Sequence, residues 1–263
     1  IEAIWLEDEQ QLLSLPQRVA AVLASLLLPR RWLERWCGAR RSVVRDDEAT
    51  VLFSSGSTGE PKGVVLSHGN VHANCDAVAQ VLPLDRKDGV LAVLPLFHSF
   101  GNLVVWYALG QGARLLCHHD PRDAVKVGEL AAAQRATLLL ATPTFLQLYL
   151  RRCEPGHFGA LRVVLTGAER LPEELADAFA MRFGIRPIAG YGCTECAPVV
   201  ATSCSDFRAG GYFQPGSRRG SVGRALPGVA VRIVDPTTMQ PLPIGSDGLV
   251  LVRGPNVMRG YLG

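Results

Sequence analysis

Thr50-Val51-Leu52-Phe53-Ser54-Ser55-Gly56-Ser57-Thr58-Gly59-Glu60-Pro61-Lys62-Gly63 sets a short apolar run directly before ten residues that hold four hydroxyls, three glycines and one lysine. Glycines let backbone N–H groups approach an anion closely, hydroxyls add donors, and an ammonium neutralises charge. The combination suits a polyphosphate, read here as a loop that follows a strand and precedes a helix. A plain Ser/Gly linker needs neither the lysine nor the flanking elements. Lysine is scarce elsewhere: Lys62, Lys87 and Lys126 are the only three, against 24 arginines. A compact point charge is wanted in this loop. The G-x-x-x-x-G-K-[ST] spacing of a Walker A loop is absent, which argues against a P-loop kinase or ATPase.

Outward from the loop, short apolar runs alternate with amphipathic stretches. Val51–Phe53, 90–94, 113–117, 137–141 and 161–165 read as buried strands. Ser67 caps a helix carrying Val71, Cys75, Val78 and Leu82, and Asp123 caps another through Leu130. Pro172 sits in the first turn of a third, with Glu173 and Glu174 at its positive end and Gly184 closing it. Alternation of this kind predicts an α/β fold with a mostly parallel sheet layered by helices. Beyond Gly192 glycine and proline become frequent. Val229–Val234 and Leu249–Val252 read as strands of a small β-rich region or partial barrel. Ahead of Thr50, a helical stripe from Gln17 to Leu28 leads into an Arg-rich connector. The expected organisation is a lead-in at 1–49, a nucleotide-binding core at 50–200 and a β-rich subdomain at 201–263.

Composition excludes other classes. The 263 residues are 48% hydrophobic and 19% charged, enough to bury a core. The net charge of +3 is concentrated between Pro29 and Arg45 and does not suggest a nucleic-acid partner. No apolar run approaches a membrane span, since the longest is broken by Pro143 and Gln147. The seven cysteines are scattered and read as free thiols. Cys193-x-x-Cys196 has no second ligand pair at zinc spacing, so both read as small buried residues.

Two further segments carry chemistry. Gly190-Tyr191-Gly192-Cys193-Thr194-Glu195 follows a strand-like stretch, at the carboxyl end where α/β sheets bind ligands. There Glu195 suits Mg²⁺, Thr194 a phosphate and Tyr191 a base. Pro95-Leu96-Phe97-His98-Ser99-Phe100-Gly101 places His98 among aromatics, just past another strand.

Together and in this order, the three segments resemble the signatures of the adenylate-forming superfamily of acyl- and aryl-CoA ligases, luciferases and peptide-synthetase adenylation domains. Ser54 stands where threonine is more usual. Thr166-Gly167-Ala168-Glu169, Gly220–Gly228 and Gly248–Pro255 resemble its other signatures. The strings L-P-L-F-H-S-F-G, Y-G-C-T-E-C-A-P-V-V and R-G-P-N-V-M-R-G-Y-L look most like the acyl-acyl-carrier-protein synthetase part of bacterial bifunctional synthetase/2-acylglycerophosphoethanolamine acyltransferases. Fatty-acyl-CoA ligases are close competitors, and a nucleotide-binding module without catalysis is the third reading.

The resemblance implies ATP and Mg²⁺ as cofactors, a fatty acid substrate, and acyl carrier protein or coenzyme A as acceptor. It implies that Ser54, Ser55, Gly56, Ser57, Thr58, Gly59 and Lys62 cradle phosphates, and that Gly167, Ala168 and Glu169 line the adenine side. Tyr191, between Gly190 and Gly192, stacks near the base, Thr194 touches the α-phosphate and Glu195 binds the metal. His98 guards the acyl side, with an acyl tunnel along Phe97, Phe100 and Trp106. No T-G-D string for a ribose-binding aspartate occurs, and the family's C-terminal lid with its catalytic lysine is not represented. The chain is therefore expected to be a fragment that turns over little by itself. The closest resemblance implies membrane and acyltransferase domains ahead of Ile1, and a place on the cytoplasmic side of the inner membrane.

Overall fold

The computed structural model describes residues 14–38, 43–55 and 60–262. The chain divides into two compact units, residues 1–44 and 45–263. In the first, helix α1 spans Leu15–Leu27 and helix α2 spans Arg30–Trp36. Helix α1 starts at Ser14, whose backbone N–H donates to Gln17 Oε1 (2.8 Å), and has Pro16 in its first turn, where a missing N–H costs nothing. Its apolar stripe, Val19, Val22, Leu23, Leu26 and Leu27, is exposed.

The second unit opens with an antiparallel hairpin of β1 (Glu48–Ser55) and β2 (Pro61–Ser67). Helix α3 (His68–Val81) follows, with the Ser67 hydroxyl accepting from Asn70 N at 3.1 Å. Then come β3 (Gly89–Ala92), α4 (Ser99–Gly110), β4 (Arg114–Cys117), α5 (Ala124–Ala133), β5 (Leu138–Ala141), α6 (Pro143–Arg152), β6 (Val163–Thr166), α7 (Glu173–Phe183) and β7 (Ile188–Gly192). Strands β3 to β7 pair in parallel in the order β7-β6-β5-β3-β4. Past β7, strand β8 (Val199–Thr202) turns back antiparallel, and β9 (Phe207–Ala209) and β10 (Tyr212–Gln214) form a hairpin. Strand β11 (Arg224–Ala225) then joins β8, giving a seven-stranded sheet.

Alternate residues along the parallel strands feed opposite faces, as the two-residue period requires. Val90, Leu138, Leu140 and Leu165 pack under α3 and α4. Leu91, Leu139, Ala141 and Val164 pack under α5, α6 and α7. Both faces are therefore covered, which explains why these strands read as unbroken apolar runs. Because β3 lies between β4 and β5, the chain reverses its direction of travel across the sheet there. The carboxyl ends beside such a reversal form a crevice.

Three expectations change in detail. Pro172 occupies the position before α7 rather than its first turn, in extended conformation. Val51–Phe53 is only half buried: Leu52 points inward and Phe53 outward, as on an antiparallel ribbon with one wet face. The segment after the Ser/Gly loop is strand β2 and not a helix. Val64, Val65 and Leu66 are buried on both faces there, and such a run resembles a helix start when read without its partners. In the β-rich region, β12 (Ala230–Val234) and β13 (Leu249–Arg253) form a separate two-stranded sheet, while β14 (Gly260–Tyr261) adds to β2. Among the described residues no helix is long and apolar enough to cross a membrane.

Candidate functional site

The Ser/Gly loop connects β1 to β2, with Ser54 opposite Lys62 and Ser55 opposite Pro61. The candidates Gly56, Ser57, Thr58 and Gly59 lie outside the described residues, and for Ser55 only the backbone register is described. Lys62 is anchored by its strand, and its Nζ lies 5.3 Å from the ring centroid of Tyr261.

The acidic hexapeptide occupies the end of β7 and a following 3-10 turn, Thr194–Cys196. Gly192 has to be glycine. A Cβ there would lie 2.0 Å from the Pro198 carbonyl oxygen, which accepts from Cys193 N at 3.0 Å. The turn is tied on several sides. Thr194 Oγ1 donates to Ser99 Oγ (3.1 Å), Met258 N donates to the Glu195 carbonyl (2.8 Å), and Tyr261 Oη donates to Glu195 Oε1 (2.9 Å). That last bond, to a carboxylate, raises the Tyr261 phenol above its ordinary pKa.

Cys193 is exposed and Cys196 buried, so the pair is not two small core residues. A hydrogen bond between the thiols lowers Cys193 and raises Cys196, and burial adds to the rise at Cys196.

His98 precedes α4 and caps it, its Nδ1 accepting from Phe100 N at 3.3 Å. An imidazole accepting at Nδ1 keeps its proton, when neutral, on Nε2, which remains a donor. Gly101 closes this turn, since a Cβ there would lie 2.2 Å from the Pro95 carbonyl oxygen. At the end of β6, Ala168 has φ +67°, a left-handed bend that swings the backbone around the crevice.

One cavity of about 490 Å³ gathers these segments at the carboxyl ends of the strands. Ser54 and Lys62 line it from the hairpin, and His98 from the start of α4. Gly167 and Ala168 line it after β6, and Gly190, Tyr191, Gly192, Thr194 and Glu195 after β7. Lys62 and Glu195 give it one positive and one negative side chain. Ser99 and Tyr261 also line it and were missed by sequence reading. Ser99 sits beside the histidine already singled out. Tyr261 lies in the R-G-Y-L string but gave no local sign of its reach.

Glu169 lies outside this cavity. Its Oε2 accepts from Thr144 Oγ1 (2.7 Å) and Thr144 N (3.3 Å), at the start of α6, where a carboxylate meets unpaired helix N–H groups. It borders an adjoining cavity of about 850 Å³, from which Ala168 and Gly190–Gly192 are shared. The expected acyl tunnel is not formed by its three aromatics. Phe100 lines the cavity, but Phe97 is 81% exposed and Trp106 packs edge-on against His68. Among the described residues no group of three or more His, Cys, Asp or Glu is placed to hold a metal.

Comparison with known proteins supports the fold and the family. The sequence signature described as AMP-binding enzyme matches residues 7–262. A feruloyl-CoA synthase from Amycolatopsis is 33% identical over 223 residues, covering 83% of this chain and 43% of that protein. An indoleacetate–CoA ligase from Aromatoleum aromaticum is 34% identical over 249 residues, covering 89% and 46%. The chain thus spans less than half the length of these curated relatives. Among solved structures, apo MatB from Rhodopseudomonas palustris superposes with a TM-score of 0.73 at 28% identity, over 87% of this chain and 44% of that one. The anthranilate CoA ligase AuaEII in complex with anthranoyl-AMP superposes with a TM-score of 0.73 at 28% identity, over 85% and 42%. With a three-layer α/β core, a crevice at the switch in strand order and a signature match over nearly its whole length, the chain belongs to the AMP-binding enzyme family, within the adenylate-forming superfamily.

Proposed function

We propose that this chain supplies the carboxylate-activating core of an AMP-forming acid–thiol ligase. The observation that carries the reading is the convergence of Ser54, Lys62, His98, Thr194 and Glu195 on one cavity. A free carboxylate is a poor electrophile because its leaving group would be an oxide. One of its oxygens attacks the α-phosphorus of ATP, the bond to pyrophosphate breaks, and an acyl-adenylate forms. A thiol then attacks the acyl carbon and AMP leaves. In the first step the protein positions the groups and stabilises charge.

Lys62 and the loop hydroxyls neutralise and hold the β,γ-phosphates, and Thr194 donates to the α-phosphate. His98, with Nδ1 engaged by Phe100 N, offers Nε2–H to the carboxylate side. Gly167, Ala168 and Tyr191 form the adenine wall, and Glu169 braces that wall from behind through Thr144. Among the described residues that line the cavity Glu195 is the one carboxylate, which suits Mg²⁺, an ion that takes one or two protein carboxylates and completes its shell from phosphates and water. Glu195 would hold the ion, which when bound supplies charge neutralisation on the phosphates.

Coenzyme A is the acceptor favoured by the relatives, whose names are those of CoA ligases. A second reading has acyl carrier protein as acceptor and a fatty acid as substrate. Its support is the likeness of the three strings around His98, Glu195 and Tyr261 to acyl-carrier-protein synthetases. On that reading the full-length protein works at the cytoplasmic face of the inner membrane, on phospholipid acyl chains.

The test is a substrate panel on the full-length protein, pairing coenzyme A and acyl carrier protein with fatty and aromatic acids while AMP and pyrophosphate are measured. AMP formation dependent on both acid and thiol is expected. ADP as the product, or nucleotide binding with no pyrophosphate release from any acid, refutes the ligase reading.

A further inference from the structure

The C-x-x-C of the acidic hexapeptide is not used by the chemistry above, yet it encloses the two residues on which that chemistry turns, Thr194 and Glu195. Cys193 lines the cavity and is exposed, while Cys196, three residues on, is buried at 4% exposure. Cys196 N donates to the Cys193 carbonyl at 2.9 Å, closing a one-turn loop. A turn so closed keeps its end Cα atoms within about 7 Å, and a disulfide needs roughly 4.4–6.8 Å. The backbone is held at both ends: Cys193 N donates to Pro198 O (3.0 Å), and Asn256 Nδ2, itself buried, donates to the Cys196 carbonyl (2.8 Å). Among the other described cysteines, Cys37 and Cys117 are exposed, and none shares this pairing with the cavity.

We infer that Cys193 and Cys196 form a reversible oxidation site, at which hydrogen peroxide closes a disulfide around the turn that carries Thr194 and Glu195. Cys193 Sγ attacks one peroxide oxygen, the O–O bond breaks, and water and a sulfenic acid form. Cys196 Sγ then attacks the sulfenic sulfur, the S–O bond breaks, and a second water leaves. Two thiols are oxidised by two electrons and one peroxide is reduced to two waters. A dithiol reductant reverses the bond by exchange. Drawing the two sulfurs into bonding distance moves the side chains between them, and Glu195 loses its alignment with Tyr261. The chemical site rests on the cysteine geometry alone, and only its effect on catalysis rests on the ligase reading.

The test uses the full-length protein with a Cys204→Ser background, so that the region holds only the two thiols in question. The reduced protein is treated with hydrogen peroxide, alkylated and cleaved after glutamate, which cuts between the cysteines at Glu195. Two peptides joined by a reducible bond are expected, together with a drop of about tenfold or more in AMP formation that dithiothreitol restores. In Cys196→Ser the joined peptides vanish and Cys193 is trapped as a sulfenic acid by dimedone. Cys193→Ser gives neither product. Oxidation of Cys37 or Cys117 with no Cys193–Cys196 linkage overturns the inference. A linkage that forms while AMP formation is untouched leaves the oxidation site standing and removes Glu195 from the catalytic reading.

Discussion

Replacing Asp88 by asparagine should cost stability without touching the cavity. Asp88 sits ahead of β3 with a side chain 9% exposed. Its two oxygens accept from Arg162 Nε (2.9 Å) and Nη2 (2.8 Å), from Thr137 Oγ1 (2.7 Å) and from Asp85 N (2.8 Å). The Arg162 guanidinium beside it, with the Thr137 and Asp85 donors, holds the carboxyl down to about 2 against the opposing effect of burial. A carboxylate held there, compared with about 3.9 in an unfolded chain, carries about 2.5 kcal/mol of charge-dependent stability. Because the folded value is depressed, that contribution is complete above about pH 5 and is lost as pH falls through 4 towards 2. About 1 kcal/mol of it is gone by pH 3. Urea denaturation followed by tryptophan fluorescence should therefore show D88N less stable by about 2–3 kcal/mol at pH 7, with an unchanged slope, and the gap should narrow at pH 3. The bonds tie the amino ends of β3, β5 and β6, roughly 13 Å of strand away from the carboxyl-end crevice. AMP formation by the folded variant should match the wild type. An equal deficit at both pH values, or one below about 1 kcal/mol at pH 7, refutes the reasoning.

Lys62→Met and Glu195→Gln each remove a charge at the reacting phosphates, and pyrophosphate release by the full-length protein should fall about a hundredfold in either. Wild-type rates in both would remove the site assignment. Tyr261→Phe deletes one hydrogen bond to Glu195, so the KM for Mg·ATP should rise about fivefold while the denaturation midpoint holds. Gly192→Ala drives a Cβ against the Pro198 carbonyl, backbone that cannot yield cheaply, and a loss of about 1–3 kcal/mol or more should appear in the same urea titration.

The parallel sheet was legible because its strands are buried on both faces and its helices announce themselves. Leu138 to Ala141 is an unbroken apolar run, and Asp123 and Ser67 each accept from a backbone N–H three residues on. The segment Gly167–Ala168 was legible for the same reason, since it directly follows β6, whereas Gly190–Gly192 ends the half-buried β7 and stood out by the glycines, hydroxyl and carboxylate gathered there. Where the reading failed, the stabilising partner is far away in sequence. Strand β2 opens with proline and lysine, poor local signs of a strand, and is made one by β1 on one side and β14 on the other. Strand β14 has two residues and no pattern of its own, since its pairing with Val64 and Val65 comes from nearly two hundred residues earlier. Phe97 failed differently. The resemblance put it along an acyl tunnel, but the turn that Gly101 closes onto Pro95 leaves it exposed.

The misread strand changes how the proposed anion site is built. A phosphate loop at a helix N-terminus borrows unpaired N–H groups and a dipole. Here strand β2 stands between the loop and helix α3 in the chain, and the cation of the hairpin is Lys62. Lysine is flexible and positions charge poorly by itself, but in β2 its backbone is fixed by pairing with Ser54. On the opposite edge, Leu262 N donates to the Gly63 carbonyl, and Tyr261 is set opposite Val64. That register puts the Tyr261 ring beside Lys62 Nζ and its hydroxyl on Glu195. One strand thus sets the cation of the cavity directly and, through its neighbour, the anion. Separate local motifs would leave the two charges to find their spacing through flexible side chains, whereas a shared strand fixes it through backbone hydrogen bonds. It follows that residues far from the reacting atoms, such as Gly63, where a Cβ would lie 3.0 Å from Leu262 Cβ, constrain the site as firmly as the residues that line it.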